Sequence, residues 1–147
     1  TAETVSFCQF FAPIIFCISN LLGYKSQNLL NGHAKLVRFP GGSSNTVSRF
    51  NPGIMTRLTN DLNDMGYAYF DWNVSAADTA SDATRYTVIE NFKESVPKHD
   101  YSVVLQHDTN AFSVDAVEEI LSWGIKNGYS FRALDLTSPA VHHSVAN

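Results

Sequence analysis

The chain has 147 residues, of which 44% are hydrophobic and 12% aromatic, and its formal net charge is −4 at pH 7. This length and composition are typical of one globular domain with a substantial core, and they exclude a disordered or low-complexity chain. The Lys and Arg residues form no cluster, so the sequence also excludes an electrostatic nucleic-acid interface.

The segment from Thr4 to Tyr24 contains no charged residue, and its length approaches that of a membrane span. Polar residues and Pro13 interrupt it, however, and no basic region precedes it. We therefore predict a buried helix and no stable membrane span. We hypothesise that this apolar helix either covers the exposed edge of the strand at Leu36–Phe39 or pairs with another copy of the chain. In the second case the chain is a homo-oligomer that associates through Phe7, Phe10, Phe11, Ile14 and Ile15.

Strand and helix patterns alternate along the rest of the chain. Strands are predicted at Leu36–Phe39, Tyr67–Val74, Tyr101–Gln106 and Tyr129–Leu134, and helices at Pro52–Met65, from Ser81 or Asp82 to Ser95, and from a Ser113 cap to Gly128. This alternation predicts the α/β class with parallel strands. There are too few units to close an eight-stranded barrel, so the strands form an open sheet or part of something larger.

In parallel sheets, functional groups gather where the strands end and their loops begin. Polar or ionisable side chains follow three of the predicted strands, in the segments Arg38–Asn45, Phe70–Asp78 and Val104–Asp108. Each has a structural alternative: Arg38 in an ion pair, Gly41-Gly42 in a simple turn, and His107 as a satisfied core histidine. Their convergence at matching strand ends favours a functional site.

These three segments resemble, in order, the third, fourth and fifth motifs of the polysaccharide deacetylase family, carbohydrate esterase family 4. The residues that match are Arg38, Pro40 and Gly42 in the third motif, Trp72, Val74 and Asp78 in the fourth, and Leu105 and His107 in the fifth. The fourth motif departs from its usual form, because Asn73 and Ser75 replace acidic residues and Thr79 replaces a tryptophan.

The resemblance extends from Lys35 to the end of the chain and implies a partial (β/α) barrel of the polysaccharide deacetylase type. It implies that residues 1–147 form a single domain, the C-terminal portion of such a catalytic domain. The reaction it implies is hydrolysis of the N-acetyl group of N-acetylglucosamine in peptidoglycan or chitin-like polymers, with zinc or another divalent metal. An extracellular or cell-wall location is implied as well.

The resemblance also implies residue roles. His107 matches the general acid that protonates the departing amine. Arg38 matches the residue that holds the base aspartate, and Asp78 supports the Arg and His side of the groove. Leu105 lines the pocket for the acetate methyl group, and Trp72 matches an aromatic of the groove wall. Pro40 and Gly42 are counted with these substrate-binding residues.

The family's first two motifs, an Asp-Asp pair and His-[Ser/Thr]-x-x-His, do not occur in this sequence. In the family they supply the base and the metal ligands, so we assign no metal-binding residue and expect no metal cofactor in this chain. Adjacent ligands without distant partners are unusual, and we predict a structural role for His142-His143. We expect little activity from the chain alone.

Two other functions remain open. A non-catalytic carbohydrate-binding remnant would keep Trp72 and the groove without the metal. A serine hydrolase built from Gly42-Ser43-Ser44 and His107 is less well supported, because the Gly-x-Ser-x-Gly elbow is absent. For the deacetylase and for the carbohydrate-binding remnant, the partner is an acetylated amino-sugar polysaccharide.

Overall fold

The computed structural model of the protein describes residues 35–146, and the backbone alone of residues 4–8. The strands in chain order are β1 (Thr4–Cys8), β2 (Leu36–Val37), β3 (Ala68–Tyr69), β4 (Val74–Ser75), β5 (Tyr101–Leu105) and β6 (Ser130–Ala133). The α-helices are α1 (Ile54–Asp64), α2 (Arg85–Ser95) and α3 (Ala111–Lys126), with short 3₁₀ helices at Thr46–Phe50 and Val96–Lys98.

The described residues fall into two compact units. The four-stranded unit contains residues 4–8 and 72–134, and the two-stranded unit contains residues 35–71 and 135–146. The chain passes from the second unit to the first between Asp71 and Trp72. The strands within each unit pair in parallel, as the alternation of strands and helices predicts.

The four-stranded unit has the strand order β4-β5-β1-β6. In β5, Ser102, Val103 and Val104 are completely buried, as expected for a central parallel strand covered on both faces. Helices α2 and α3 pack together beside this sheet, and their inward faces form the core with β4 and β5. The core residues are Val74, Ala76, Val88, Ile89, Phe92, Val96, Val104, Ala116 and Ile120.

The prediction of a helix at the start of the chain is wrong for Thr4–Cys8, which forms β1 between β5 and β6. The prediction rested on the length, the lack of charge and the interruptions of this run, yet its first residues include the β-branched Thr4 and Val5 and the aromatic Phe7, which favour strands. A short apolar run suits a strand buried on both faces as well as it suits a buried helix. The proposed self-association surface beyond Cys8 lies outside the described residues.

In the two-stranded unit, β2 pairs with β3 so that Leu36 lies opposite Ala68 and Val37 opposite Tyr69. Helix α1 connects the two strands, and Gly66, just after it, has a φ of 74°, as expected for a glycine that ends a helix. The predicted strand Tyr67–Val74 is in fact two short strands, β3 and β4, that belong to different units. Across the described residues, no helix is long and apolar enough to cross a membrane.

Candidate active site

The loop that follows β4 turns sharply before Asp78. Strand β4 ends at Ser75 opposite Leu105 of β5, and the Ala76 N–H donates to the Leu105 carbonyl at 2.9 Å. Ala77 then adopts a left-handed conformation with φ of 52°, and its N–H donates to Ser75 Oγ at 3.1 Å. Such a conformation costs free energy in a residue with a Cβ, and it is held here by neighbouring contacts. The turn directs Asp78 into the interior, where it is only 2% exposed.

Asp78 and His107 form a hydrogen-bonded pair at the ends of adjacent strands. His107 lies two residues beyond the end of β5, and its Nδ1 is 2.8 Å from Asp78 Oδ1. The backbone N–H of His107 also donates to Asp78 Oδ2 at 2.6 Å. One carboxylate therefore fixes both the main chain and the ring of the histidine.

The N-cap and the first turn of α3 supply two further bonds to Asp78. Ser113 Oγ donates to Asp78 Oδ2 at 2.7 Å, and Asn110 Nδ2 donates to the Asp78 carbonyl at 3.0 Å. The prediction that Ser113 caps this helix is wrong, because the N-cap is Asn110 and the helix begins at Ala111. The Ser113 hydroxyl is engaged by a carboxylate that precedes it by 35 residues, a contact that local sequence does not reveal.

These bonds keep Asp78 ionised. Burial raises the pKa of Asp78, but the hydrogen bonds from His107 and Ser113 outweigh it and hold the pKa below its usual value of 3.8. An ionised carboxylate only accepts hydrogen bonds, so Nδ1 of His107 must carry the proton between them.

Nε2, the second ring nitrogen of His107, is free to transfer a proton to or from a substrate. The His107 side chain is 24% exposed, and Nε2 has no hydrogen-bond partner within the described residues. With Nδ1 protonated, Nε2 offers a lone pair when the ring is neutral and an N–H when the ring is a cation. A positioned imidazole of this kind can give or take a proton near neutral pH.

The other residues predicted for the site divide between the two units. Leu105, the partly buried last residue of β5, and the half-buried Trp72 belong to the four-stranded unit with Asp78 and His107. Arg38, Pro40 and Gly42 follow β2 in the two-stranded unit. There Gly42 has φ of 78° and closes a tight turn, donating its N–H to the Phe39 carbonyl at 2.8 Å.

A second buried carboxylate, Asp71, was not singled out in the sequence. It is completely buried and accepts three hydrogen bonds: from the Ser43 N–H at 2.7 Å, from Ser43 Oγ at 2.5 Å and from the His143 N–H at 2.8 Å. The Asp71 N–H donates to the Val141 carbonyl at 2.8 Å. Asp71 therefore joins the loop after β2 to the C-terminal tail.

The two tail histidines also make local contacts in the two-stranded unit. The His142 ring stacks on Tyr69 with ring centroids 3.9 Å apart, and its Nε2 lies 2.9 Å from the Tyr69 carbonyl oxygen. His143 Nδ1 is 3.0 Å from Ser44 Oγ. These contacts agree with a structural role for the pair. Ser43 and Ser44 are paired with Asp71 and His143, whereas the serine hydrolase alternative required His107.

No set of three His, Cys, Asp or Glu side chains in the described part of the chain could hold a metal ion. A zinc site needs about three protein ligands, and the Asp78–His107 pair supplies at most two groups that already bind each other. The described residues therefore do not fit a metal by themselves.

The curated relatives and the solved structures that match this chain lead to one family. The solved catalytic domain of the peptidoglycan N-acetylglucosamine deacetylase from Eubacterium rectale matches with a TM-score of 0.79 and 48% identity, covering 82% of this chain and 56% of that chain. The peptidoglycan-N-acetylglucosamine deacetylase of Bacillus cereus is 30% identical over 72% of this chain and 38% of its own length. The relatives of this chain are polysaccharide deacetylases.

A third relative is YheN of Bacillus subtilis, whose name assigns it provisionally to the polysaccharide deacetylases; it is 27% identical over 85% of this chain and 40% of its own length. No protein-family model matches the chain. The chain thus spans about two fifths of the curated deacetylases and corresponds to part of their catalytic domain. The predicted polysaccharide deacetylase resemblance and its parallel α/β fold are confirmed.

Proposed function

We propose that this chain provides the Asp78–His107 part of a polysaccharide deacetylase site, which hydrolyses the N-acetyl groups of N-acetylglucosamine units in peptidoglycan or a chitin-like polymer. The observation that carries this proposal is the 2.8 Å contact between His107 Nδ1 and Asp78 Oδ1 at neighbouring strand ends. The 48% identity to a solved peptidoglycan N-acetylglucosamine deacetylase supports it.

In this proposal His107 is the general acid. As the C–N bond of the acetamide breaks, the protonated Nε2 gives its proton to the departing nitrogen, which leaves as the amine of the sugar. Asp78 holds the ring through Nδ1 and stabilises the imidazolium before the proton is transferred. A positioned general acid of this kind contributes about 10²–10⁴-fold to the rate.

The remaining predicted residues take the roles that the resemblance implies. Leu105 lines the pocket for the acetate methyl group, and Trp72 offers an aromatic face to the sugar rings. Arg38 holds the base aspartate, and Pro40 and Gly42 are substrate-binding residues with Leu105 and Trp72. We also propose, from the same resemblance, an acetylated amino-sugar polysaccharide as the partner and an extracellular or cell-wall location.

The resemblance implies a divalent metal, but neither its expected ligands nor the base aspartate occurs in the motifs of this sequence. We therefore assign no step of the reaction to a metal bound by this chain. We propose that residues outside this chain supply the metal ligands and the base aspartate. It follows that the chain alone releases little acetate from N-acetylated chitooligosaccharides.

A chimera tests the proposal. The matched segment of the Eubacterium rectale catalytic domain is replaced by residues 35–146 of this chain, and metal-dependent acetate release from N-acetylated chitooligosaccharides is measured. We expect activity that falls by about 10²–10⁴-fold when His107→Gln is introduced. The matched control is His99→Gln, since His99 follows the 3₁₀ helix Val96–Lys98 and makes none of the hydrogen bonds to Asp78.

A chimera that folds and whose activity is equal with and without His107→Gln would contradict the role of His107. A folded chimera that binds the oligosaccharide and releases no acetate would instead favour the non-catalytic carbohydrate-binding alternative.

A further inference from the structure

The Ser113 side chain meets Asp78 from the first turn of α3. It is completely buried, and its Oγ lies 2.7 Å from Asp78 Oδ2. The His107 N–H approaches the same oxygen at 2.6 Å. Two donors therefore occupy Oδ2, and Oδ1 is left to accept from the imidazole of His107.

We propose that Ser113 is a positioning residue that acts on His107 through Asp78. Its hydroxyl holds the carboxylate in the rotation at which Oδ1 meets Nδ1, and this keeps the neutral imidazole in the Nδ1–H form with Nε2 available. The inference rests on the proposed function in taking His107 as the reacting group.

The need for such a residue follows from the freedom of a carboxylate. The final torsion of an aspartate is broad, so burial alone does not choose which oxygen faces the ring. A backbone N–H and a hydroxyl that bind the same oxygen do choose it. Without the hydroxyl, Oδ2 keeps only the His107 N–H, and the carboxylate can turn between its two neighbours.

The serine is itself held in place. Its carbonyl accepts from Gln106 Nε2 at 2.6 Å, and its N–H donates to the Asn110 carbonyl at 3.0 Å. Asn110 in turn donates through Nδ2 to the Asp78 carbonyl at 3.0 Å. The contacts form a closed circuit from the end of β5 through α3 and back to Asp78, so the hydroxyl has a defined direction.

A purely structural role would leave different evidence. A serine in the first turn of a helix often binds the free N–H groups of that turn. Within the described residues, the Ser113 hydroxyl has Asp78 as its only hydrogen-bond partner. Among the residues that the structure describes, His107 is the one titratable group that lowers the pKa of Asp78, and the neighbouring Asp108 is exposed.

The test reads the His107 tautomer directly, by ¹⁵N NMR of the imidazole in the whole chain at a pH where the ring is neutral. His107→Gln identifies the signal among the five histidines. We expect the Nδ1–H form alone in the unaltered chain and a mixture of both tautomers in Ser113→Ala. The matched control is Ser102→Ala, because Ser102 is equally buried but its Oγ has no hydrogen-bond partner among the described residues.

A second reading follows the Asp78 carboxyl by ¹³C NMR as the pH is lowered. Losing the Ser113 donor raises the pKa of Asp78 towards its usual value, while Ser102→Ala leaves it unchanged. If Ser113→Ala does not fold, the near-isosteric pair Ser113→Thr and Ser113→Val replaces it, with the tautomer mixture expected in the valine variant alone.

An unchanged Nδ1–H signal and an unchanged Asp78 titration in the hydroxyl-deleted variant would overturn the inference. Both measurements are made without substrate. They therefore stand apart from the chimera, whose inactivity would count against the proposed function and leave the Ser113 result intact.

Discussion

Asp71→Asn tests how the C-terminal tail is held in the two-stranded unit. The Asp71 carboxylate receives three donors, and the asparagine can satisfy only part of this set. Its oxygen still accepts from the Ser43 N–H, and the Ser43 hydroxyl can rotate to accept from the new amide. The His143 N–H, 2.8 Å from Oδ2, would instead face another donor.

The size of the effect follows from that one lost bond. A hydrogen bond to a charged group contributes about 1.5–3 kcal/mol, and a donor left buried without a partner costs a similar amount. We expect Asp71→Asn to weaken the attachment of the tail by about 2 kcal/mol, which corresponds to roughly a 30-fold change in an equilibrium. Asp71→Ala, which removes all three acceptor contacts, should weaken it more.

Amide hydrogen exchange at His143 is the appropriate assay, because it reports local detachment of the tail as well as global unfolding. The protection of the His143 N–H should fall by roughly 30-fold in Asp71→Asn. Asp61→Asn is the matched control, since Asp61 is an exposed carboxylate on α1 and its change should stay within about 0.5 kcal/mol. Equal protection of the His143 N–H in Asp71→Asn and the unaltered chain would refute the reasoning.

Three further predictions concern the four-stranded unit. Asn73 Nδ2 donates to the Tyr101 carbonyl at 2.8 Å, and an aspartate there could not donate this bond. Asn73→Asp restores the acid usual in the family motif, yet it should destabilise the fold by about 1–3 kcal/mol in urea denaturation. A stability equal to that of the unaltered chain would contradict this. A Cβ at Gly124 would lie 2.7 Å from Phe131 Cε2. Gly124→Ala should therefore lower the free energy of unfolding by about 1 kcal/mol, although alanine has the better helix propensity. A gain in stability would show that the Phe131 ring moves aside freely. Because the pKa of Asp78 is lower in the folded chain than its usual value of 3.8, the ionised carboxylate stabilises the fold above pH 3.8, and this stabilisation is lost as the pH falls through the pKa of the folded state. The free energy of unfolding should therefore fall less between about pH 6 and pH 3 in Asp78→Asn than in the unaltered chain, and an equal fall would count against the argument.

Local patterns predicted the elements whose signals are local. Residues 102–105, which are all apolar or small, predicted β5, and the left-handed glycine Gly66 follows α1, as expected for a glycine that ends a helix. Thr84 shows the limit of this reasoning, because α2 begins after it with a capping box to Thr87, three or more residues later than predicted. The initial strand was missed because an uncharged run has no period that separates a buried strand from a buried helix.

The candidate site was predictable to the extent that motifs mark it. His107 and Asp78 follow two predicted strands and match two motifs of the resembling family, and the structure places them in contact. Ser113 and Asp71 were not chosen, because their partners lie 28 to 72 residues away and depend on the tertiary fold. A buried serine and a buried aspartate look like ordinary polar residues until the packing around them is known.

The most direct test of the central claim compares two substrates of different leaving group in the chimera with and without His107→Gln. Release of the sugar amine requires a proton, whereas release of nitrophenolate from 4-nitrophenyl acetate does not, since that anion is already a stable leaving group. A general acid at His107 predicts a loss of about 10²–10⁴-fold on the chitooligosaccharide and little change on the ester. An equal loss on both substrates would contradict the claim that His107 protonates the departing amine.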